Sequence, residues 1–203
     1  MTMYNDKGLS SSFLTVSVDA AWNNDPQRST DGRRLIVPCI SLARILNVIP
    51  ASTSLWLLKT DMQGLDFKTV HSVGILIKRI DYLVTEVSFD NTYAYDGESN
   101  DFCTKWVPHM TAMGYKLHAF RKGHLLTVNA PGDDTWEFVG DMCRAQESLP
   151  RVRGLNEGDA YWMHTDARLE QPFFLGDFKW PSAKKLIDEI NAQSVQAAPP
   201  PAD

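Results

Sequence analysis

The 203-residue sequence has only three cysteines, no Gly-x-Gly pair among its 12 glycines and no excess of basic residues. Cys39, Cys103 and Cys143 are widely spaced and form no Cys-x-x-Cys pair, so we predict free, buried thiols in a reducing compartment rather than a disulfide framework. A formal net charge of -5 argues against a nucleic-acid surface, which requires a basic stripe. No apolar run approaches the ~20 residues that span a bilayer, and the N-terminus lacks the pattern of a secretory signal. These absences predict a cytoplasmic protein that binds neither nucleic acid nor membrane.

The histidines are scattered and match none of the common metal-binding spacings, His-x-His, His-x-x-x-His or His-Glu-x-x-His. We therefore predict no metal site. The five residues concerned are His71, His109, His118, His124 and His164.

Strand-like and helix-like patterns alternate along the chain, and this alternation predicts an α/β fold with right-handed crossovers. The composition, 43% hydrophobic, fits one domain over residues 1–194, followed by a disordered, proline-rich tail at 195–203. Segments rich in β-formers predict strands at 13–22, 54–61, 81–89, 115–121 and 159–166. Segments with helical spacing predict helices at 42–49, 67–80, 101–114 and 182–193, with a shorter helix around 135–145.

Local signals set the ends of several elements. Ser41 is a suitable N-cap for the helix at 42–49, Gly74 weakens or ends the helix at 67–80, and Gly114 ends the helix at 101–114. The run at 54–61 is almost continuously apolar, which is typical of a strand buried on both faces of a parallel sheet.

Polar residues follow this apolar strand in the stretch "LLKTDMQGLDF", residues 57–67. Ligands of parallel sheets bind beyond the carboxyl ends of the strands, and Asp61 and Glu86 lie at or near two successive ends of this kind. Gln63 can orient a polar substrate, Gly64 allows a close approach, and Lys59 falls on the same side of the strand as Asp61. Two structural alternatives remain open: Asp61 caps the next helix, and Glu86 forms an ion pair with a neighbour such as Lys59.

The ordered set "LWLLKTDMQGLDFKTV", "IDYLVTEVSFDNTYAYDG" and "MTAMGYKL" resembles the FkbM-type methyltransferase family. The resemblance covers about residues 9–121 and includes an upstream "VPCISLARIL" similar to the stretch that precedes the motif in that family. The residues that carry it are Lys59, Asp61, Gln63 and Gly64, then Glu86 and Val87, then Gly114 and Tyr115.

This resemblance implies a Rossmann-like methyltransferase sheet, mostly parallel with a late antiparallel strand. It implies binding of S-adenosylmethionine and transfer of its methyl group to a hydroxyl of a small molecule or sugar. Asp61 is then expected to act as the base or a cofactor contact, with Gln63 and Glu86 in supporting polar roles. Lys59 and Gly64 are expected to lie near the substrate or cofactor.

The sequence departs from that family in its first half. It contains no strand that runs into a glycine-rich turn, and no later strand that ends in an acid for the ribose hydroxyls. We therefore expect the chain to be a fragment of a longer enzyme, a remnant that cannot hold the cofactor alone, or a half-sheet completed by a partner. The exposed sheet edge favours a homo-oligomer or another covering partner. A non-catalytic interaction module is the alternative to the methyltransferase.

Overall fold

A computed structural model describes residues 2–4, 12–14, 34–89, 99–122, 125–128, 136–146 and 157–167. Most of the strand predicted at 13–22, the helix predicted at 182–193 and the tail at 195–203 lie outside the described residues. In the described part of the chain, no helix has the length and apolar character needed to cross a membrane.

The secondary structure alternates much as the sequence patterns predict. The strands are β1 (Thr2–Tyr4), β2 (Arg34–Ile36), β3 (Leu55–Lys59), β4 (Ile80–Ser88), β5 (Tyr115–Lys122), β6 (Leu125–Val128) and β7 (Glu157–His164). The α-helices are α1 (Leu42–Val48), α2 (Asp66–Val73), α3 (Val107–Ala112) and α4 (Trp136–Gln146). A 3-10 helix (Gly74–Arg79) continues α2, and a π-helix (Phe102–Trp106) precedes α3.

The strands form an α/β fold around a mixed sheet of five strands, in the order β3-β4-β7-β5-β6. β3 and β4 pair in parallel, whereas β7 is antiparallel to both β4 and β5, and β6 is antiparallel to β5. Three strands, β3, β4 and β5, therefore run in the same direction. The late strand β7 lies between two of them in the opposite direction. β1 and β2 form a separate antiparallel pair.

Capping residues set the helix ends where the sequence predicts them. The Ser41 side chain accepts a hydrogen bond from the Arg44 amide at 3.3 Å and begins α1. Gly74 has a positive φ of 59° and ends α2, and the chain continues as the 3-10 helix. Gly114, at a φ of 85°, lies just beyond α3, and its amide donates to the Thr111 carbonyl at 3.0 Å. Both glycines occupy the left-handed region that other residues rarely adopt.

The main cluster of buried side chains lies between the sheet and the helices, on one face of the sheet, and Tyr82 and Val84 are buried on the other face. Leu83, Trp162 and Leu117 are register partners across β4, β7 and β5, so their side chains point to the face with the main cluster. All three are buried, and they join a cluster with apolar residues of α2, the π-helix, α3 and α4. The Tyr115 hydroxyl lies 2.6 Å from the carbonyl oxygens of Ile77 and Ile80 and ties the start of β5 to the start of β4.

The structure corrects the burial predicted for the strand at 54–61. β3 is an edge strand of the five-stranded sheet, and Leu57 is 40% exposed. The apolar run predicted a central strand because sequence alone cannot tell whether a second neighbour is present. Among the described residues, β4 is the only strand that pairs with β3.

The structure also corrects the prediction for the cysteines. Cys103 of the π-helix and Cys143 of α4 form a disulfide, with Cα atoms 5.6 Å apart, and only Cys39 is a free, exposed thiol. Wide spacing in sequence hid this pair because the packing of α4 against the π-helix closes a separation of 40 residues. The cysteines therefore no longer support a reducing compartment.

Replacing both Cys103 and Cys143 by alanine should lower the free energy of unfolding by about 2–4 kcal/mol, because the disulfide restricts the unfolded chain. Urea titration without reductant measures this. Cys39→Ala is the matched control, and its change should stay within about 0.5 kcal/mol because the thiol is exposed. Equal effects of the two replacements would contradict a stabilising disulfide.

Gly158→Ala should lower the free energy of unfolding by about 1–3 kcal/mol through overpacking. A Cβ at this position would lie 2.6 Å from the Arg121 carbonyl oxygen and would overlap the Phe120 ring. Gly140→Ala in α4 is the control: the atoms nearest to its Cβ would belong to the Arg144 guanidinium, at the end of a flexible side chain, so helix propensity should raise stability by about 0.5–1 kcal/mol. Thermal and urea unfolding of both variants measure the difference in sign.

Candidate functional site

Parallel pairing of β3 with β4 brings the predicted site residues to one edge of the sheet. Lys59 is the register partner of Val84, and the Thr60 amide extends the ladder by donating to the Val84 carbonyl at 2.9 Å. Glu86 is two residues beyond Val84, so it points to the same face as Lys59. The carboxyl end of β3 therefore places Asp61 beside Glu86.

Three of the predicted residues form a hydrogen-bonded group just beyond β3. The Asp61 carboxylate accepts a hydrogen bond from Lys59 Nζ at 3.3 Å and one from Gln63 Nε2 at 2.7 Å. Gln63 and Gly64 adopt positive φ angles of 50° and 96° and turn the chain back toward α2. The side chain of Asp61 is 49% exposed, so its carboxylate is held in position while remaining accessible.

Asp61 does not cap α2, so that alternative is wrong. The N-cap of α2 is Leu65, which makes no side-chain cap bond, and the acidic residue of the first turn is Asp66. Both oxygens of the buried Asp66 lie 3.2 Å from the Met62 amide, which donates to them. Sequence reasoning overlooked Asp66, although an acid in the first turn of a predicted helix is a recognisable signal.

The buried position of Asp66 also changes its protonation. Burial raises the pKa of Asp66 to about 6, the hydrogen bond from Met62 opposes the rise, and the charge of Asp61 adds to it. Asp66 thus holds the Met62 amide within the Asp61–Gly64 turn, and its pKa depends in part on the charge of Asp61.

Glu86 lies in a row of charged residues that crosses four strands. Its register partner on β7 is Asp159, and the partner of Asp159 on β5 is Arg121. Register therefore places Lys59, Glu86, Asp159 and Arg121 on one face of the sheet, opposite the core. Two acids directly opposite each other repel, and the flanking cations reduce that repulsion. No local pattern in the sequence marks Asp159 or Arg121, because β7 is distant in sequence from β4.

This row makes Glu86 an unusual carboxyl group. Burial, followed by the charges of Asp66, Asp61 and Asp159, raises the pKa of Glu86 to about 8, and the charge of Lys59 opposes the rise. Burial also raises the pKa of Asp159. The predicted alternative of an ion pair between Glu86 and Lys59 is replaced by the ion pair that Lys59 forms with Asp61.

For Lys59, burial lowers the pKa, but the hydrogen bond and charge of Asp61 outweigh burial and raise it. The ammonium group therefore remains charged and keeps orienting the Asp61 carboxylate.

Asn100 joins the strand ends to the neighbouring helices. Its Nδ2 donates to the Glu86 carbonyl at 2.7 Å, and its Oδ1 accepts from the Phe67 amide at 3.1 Å and from Trp106 Nε1 at 3.0 Å. This buried amide fixes β4, α2 and the π-helix relative to one another. No local motif marks Asn100 in the sequence, because its partners come from three separate segments.

A cavity of about 650 Å³ opens beside Asp61, between α1, the end of β3 and α2. Its walls are mainly apolar, and polar residues such as Lys59, Asp61 and Thr69 also line it. This size and character suit a small organic molecule. Besides Lys59 and Asp61, the lining residues include Ile40, Leu42, Ile45, Leu58, Met62 and Leu65.

The described residues bring Lys59, Asp61, Gln63 and Glu86 together at one strand edge, and Gly64 forms the turn behind them. Asp61 and Lys59 line the cavity. Among the described residues, no group of three or more histidine, cysteine or acidic side chains is arranged to hold a metal ion.

Glu86→Gln should flatten the decline in stability with rising pH. The folded-state pKa of about 8 exceeds the ordinary 4.5, so the folded state holds the proton more tightly than the unfolded state. The resulting stabilisation is complete below the ordinary pKa and is lost as pH rises through about 8. At about pH 9 the free energy of unfolding of the variant should be higher than that of the parent by at least about 1.4 kcal/mol, which is the value of one pKa unit.

Urea unfolding at several pH values between about 5 and 9 measures this difference. Asp141→Asn on α4 is the control, because Asp141 pairs with Arg144 at an exposed site away from the strand ends. Its effect should be small and similar across the range. A parallel pH dependence of the parent and Glu86→Gln would contradict the proton uptake by Glu86.

Comparison with known proteins found no matching family model, no matching curated protein and no matching solved structure.

Proposed function

We propose that this protein is a methyltransferase of the FkbM type that transfers a methyl group from S-adenosylmethionine to a hydroxyl of a small molecule or sugar. The observation that carries the proposal is the accessible Asp61 carboxylate, held by Lys59 and Gln63 beside a cavity at the end of a parallel strand. Four of the motif residues, Lys59, Asp61, Gln63 and Gly64, lie at the end of a parallel strand, where ligands of such sheets bind, whereas Gly114 and Tyr115 lie at the start of β5. The late antiparallel strand β7 agrees with the sheet that the resemblance implies.

The residues of the cavity fit the acceptor better than the whole cofactor. Its apolar walls and the Asp61 carboxylate suit a small molecule that carries a hydroxyl group. The glycine-rich turn expected for the cofactor is not in the sequence, because no two of its 12 glycines form a Gly-x-Gly pair. When bound, S-adenosylmethionine supplies an electrophilic methyl group.

The role of the protein in this reaction is to orient the acceptor and remove its proton. Asp61 lines the cavity and can accept the hydroxyl proton of the acceptor. Lys59 and Gln63 fix the carboxylate, so little reorganisation is needed when the acceptor binds. The charge of Asp61, after burial and the charge of Asp66, helps to raise the pKa of Glu86, so the protonation of Glu86 depends on the charge at this site.

A second candidate is a non-catalytic interaction module, and the edge of the sheet supports it. Within the described part of the chain β3 presents an open edge, Leu57 is 40% exposed, and Val48 of α1 is 74% exposed. An exposed apolar edge strand is a ready surface for a second copy or another protein. This candidate uses the same fold but needs no occupant in the Asp61 cavity.

Isothermal titration of the purified chain with S-adenosylmethionine and with its demethylated product tests the proposal. We expect heat of binding from at least one of them. With tritium-labelled cofactor and a panel of sugars and hydroxylated small molecules, Asp61→Asn should lower methyl transfer by about 10²- to 10⁴-fold, the usual contribution of a general base.

Asp141→Asn is the matched control and should keep both binding and transfer, since it removes a carboxylate from an exposed helix. The thermal midpoint of Asp61→Asn should stay close to that of the parent, because its ion pair with Lys59 is exposed. Absence of binding heat for both ligands would refute a stand-alone methyltransferase. Concentration-dependent sedimentation would then favour the interaction module.

A further inference from the structure

A second cavity, of about 560 Å³, lies between α2, the π-helix and α3. It is lined by Phe67, by Pro108 and by six polar residues that come from these elements and from the segment before the π-helix. The six are Lys68, His71, Ser99, Thr104, Lys105 and His109.

Helical spacing directs the basic residues into this cavity in two pairs. Lys68 and His71 are three residues apart on α2, and Lys105 and His109 are four residues apart across the junction of the π-helix with α3. Both spacings place side chains on one face of a helix. The two faces meet where the rings of His71 and His109 approach, with centroids 5.0 Å apart.

The two imidazoles pack against Phe67, but one of their ring nitrogens has no hydrogen bond among the described residues. Phe67 contacts both rings, with centroid separations of 5.5 Å to His71 and 5.6 Å to His109. His109 Nε2 is buried and has no hydrogen-bond partner among the described residues. A buried nitrogen without a partner is destabilising unless a ligand or water satisfies it. Burial and the neighbouring His71 lower the pKa of His109, so an anion is needed to stabilise its charged form.

The charge of the cavity differs from that of the whole protein. The chain carries a formal net charge of -5, yet none of the described residues that line this cavity is acidic, and two of them are lysines. The nearby Asp101 carboxylate already accepts hydrogen bonds from the Thr104 amide and hydroxyl, both at 2.7 Å. Two ammonium groups and two imidazoles suit an anion with two negative charges better than a single carboxylate.

We propose that this cavity binds the phosphate group of a phosphorylated small molecule, between the lysines Lys68 and Lys105 and the imidazoles of His71 and His109. The volume exceeds that of phosphate alone, and Phe67 provides an apolar wall for the rest of the ligand. A divalent cation fits poorly, because two imidazoles without an acidic partner would carry its charge.

In the first test, the full chain is titrated with inorganic phosphate and with phenyl phosphate. Binding is monitored by proton–carbon NMR of the histidine rings. Sodium chloride at equal ionic strength is the reference. We expect saturable shifts of the His71 and His109 resonances. His118 should not respond, because it is on β5 and does not line the cavity. Phenyl phosphate should bind more tightly than inorganic phosphate, because its ring can pack against Phe67.

A pair of lysine variants tests the placement of the charge. Lys105→Met should weaken the binding of both phosphates about tenfold, as expected for the loss of a charge-assisted hydrogen bond. Lys116→Met removes an equally exposed lysine from β5 outside the cavity and should leave binding unchanged. Both residues are exposed, so the variants should fold like the parent.

Several outcomes would overturn the proposal. These are an absence of saturable shifts, equal shifts in chloride, or equal weakening by Lys105→Met and Lys116→Met. Equal affinity for the two phosphates would reject the phosphorylated small molecule and leave binding of the anion alone. This result can be distinguished from methyl transfer, because it is read at His71 and His109, which do not line the Asp61 cavity.

Discussion

The parallel pairing of β3 with β4 is the constraint on which both the fold and the Asp61 site depend. The carboxyl ends of parallel strands lie at the same edge of a sheet, so the residues that follow these strands are close together. The Thr60 amide continues this pairing one residue beyond β3, and the chain then turns sharply through Gln63 and Gly64. If β3 were displaced by one residue, Lys59 would change face and could no longer orient Asp61 beside Glu86.

The acidic groups around this edge reflect a conflict between burial and charge. Asp66, Glu86 and Asp159 each have a raised pKa, and burial is the largest cause in all three. The repulsion between their carboxylates is reduced by the positive charges of Lys59 and Arg121, and protonation of a carboxyl group reduces it further. Carboxyl groups with strongly shifted pKa values cluster at functional sites, so this group is more typical of such a site than of a stable core.

The helices on the core face hold this edge in place and also separate the two cavities. Asn100 links α2, β4 and Trp106 of the π-helix, and the disulfide between Cys103 and Cys143 joins the π-helix to α4. α2 is central to the arrangement, because Lys68 lines both cavities. The Asp61 cavity has mainly apolar walls and contains a carboxylate, whereas the second cavity has two imidazoles and no acidic residue among its described lining residues. Their different lining residues suit chemically different ligands.

The sequence alone determined the alternation of the main strands and helices, the start of α1, the glycines at which α2 and α3 end, and the placement of Asp61 and Glu86 at strand ends. These features follow from local patterns: alternation, capping by Ser41, and the conformational freedom of Gly74 and Gly114. Tertiary structure alone decided that β3 is an edge strand, that Cys103 meets Cys143, and that Asp159 faces Glu86. Each of these depends on contacts between segments distant in sequence, where position in three dimensions, and not local pattern, fixes which side chains meet.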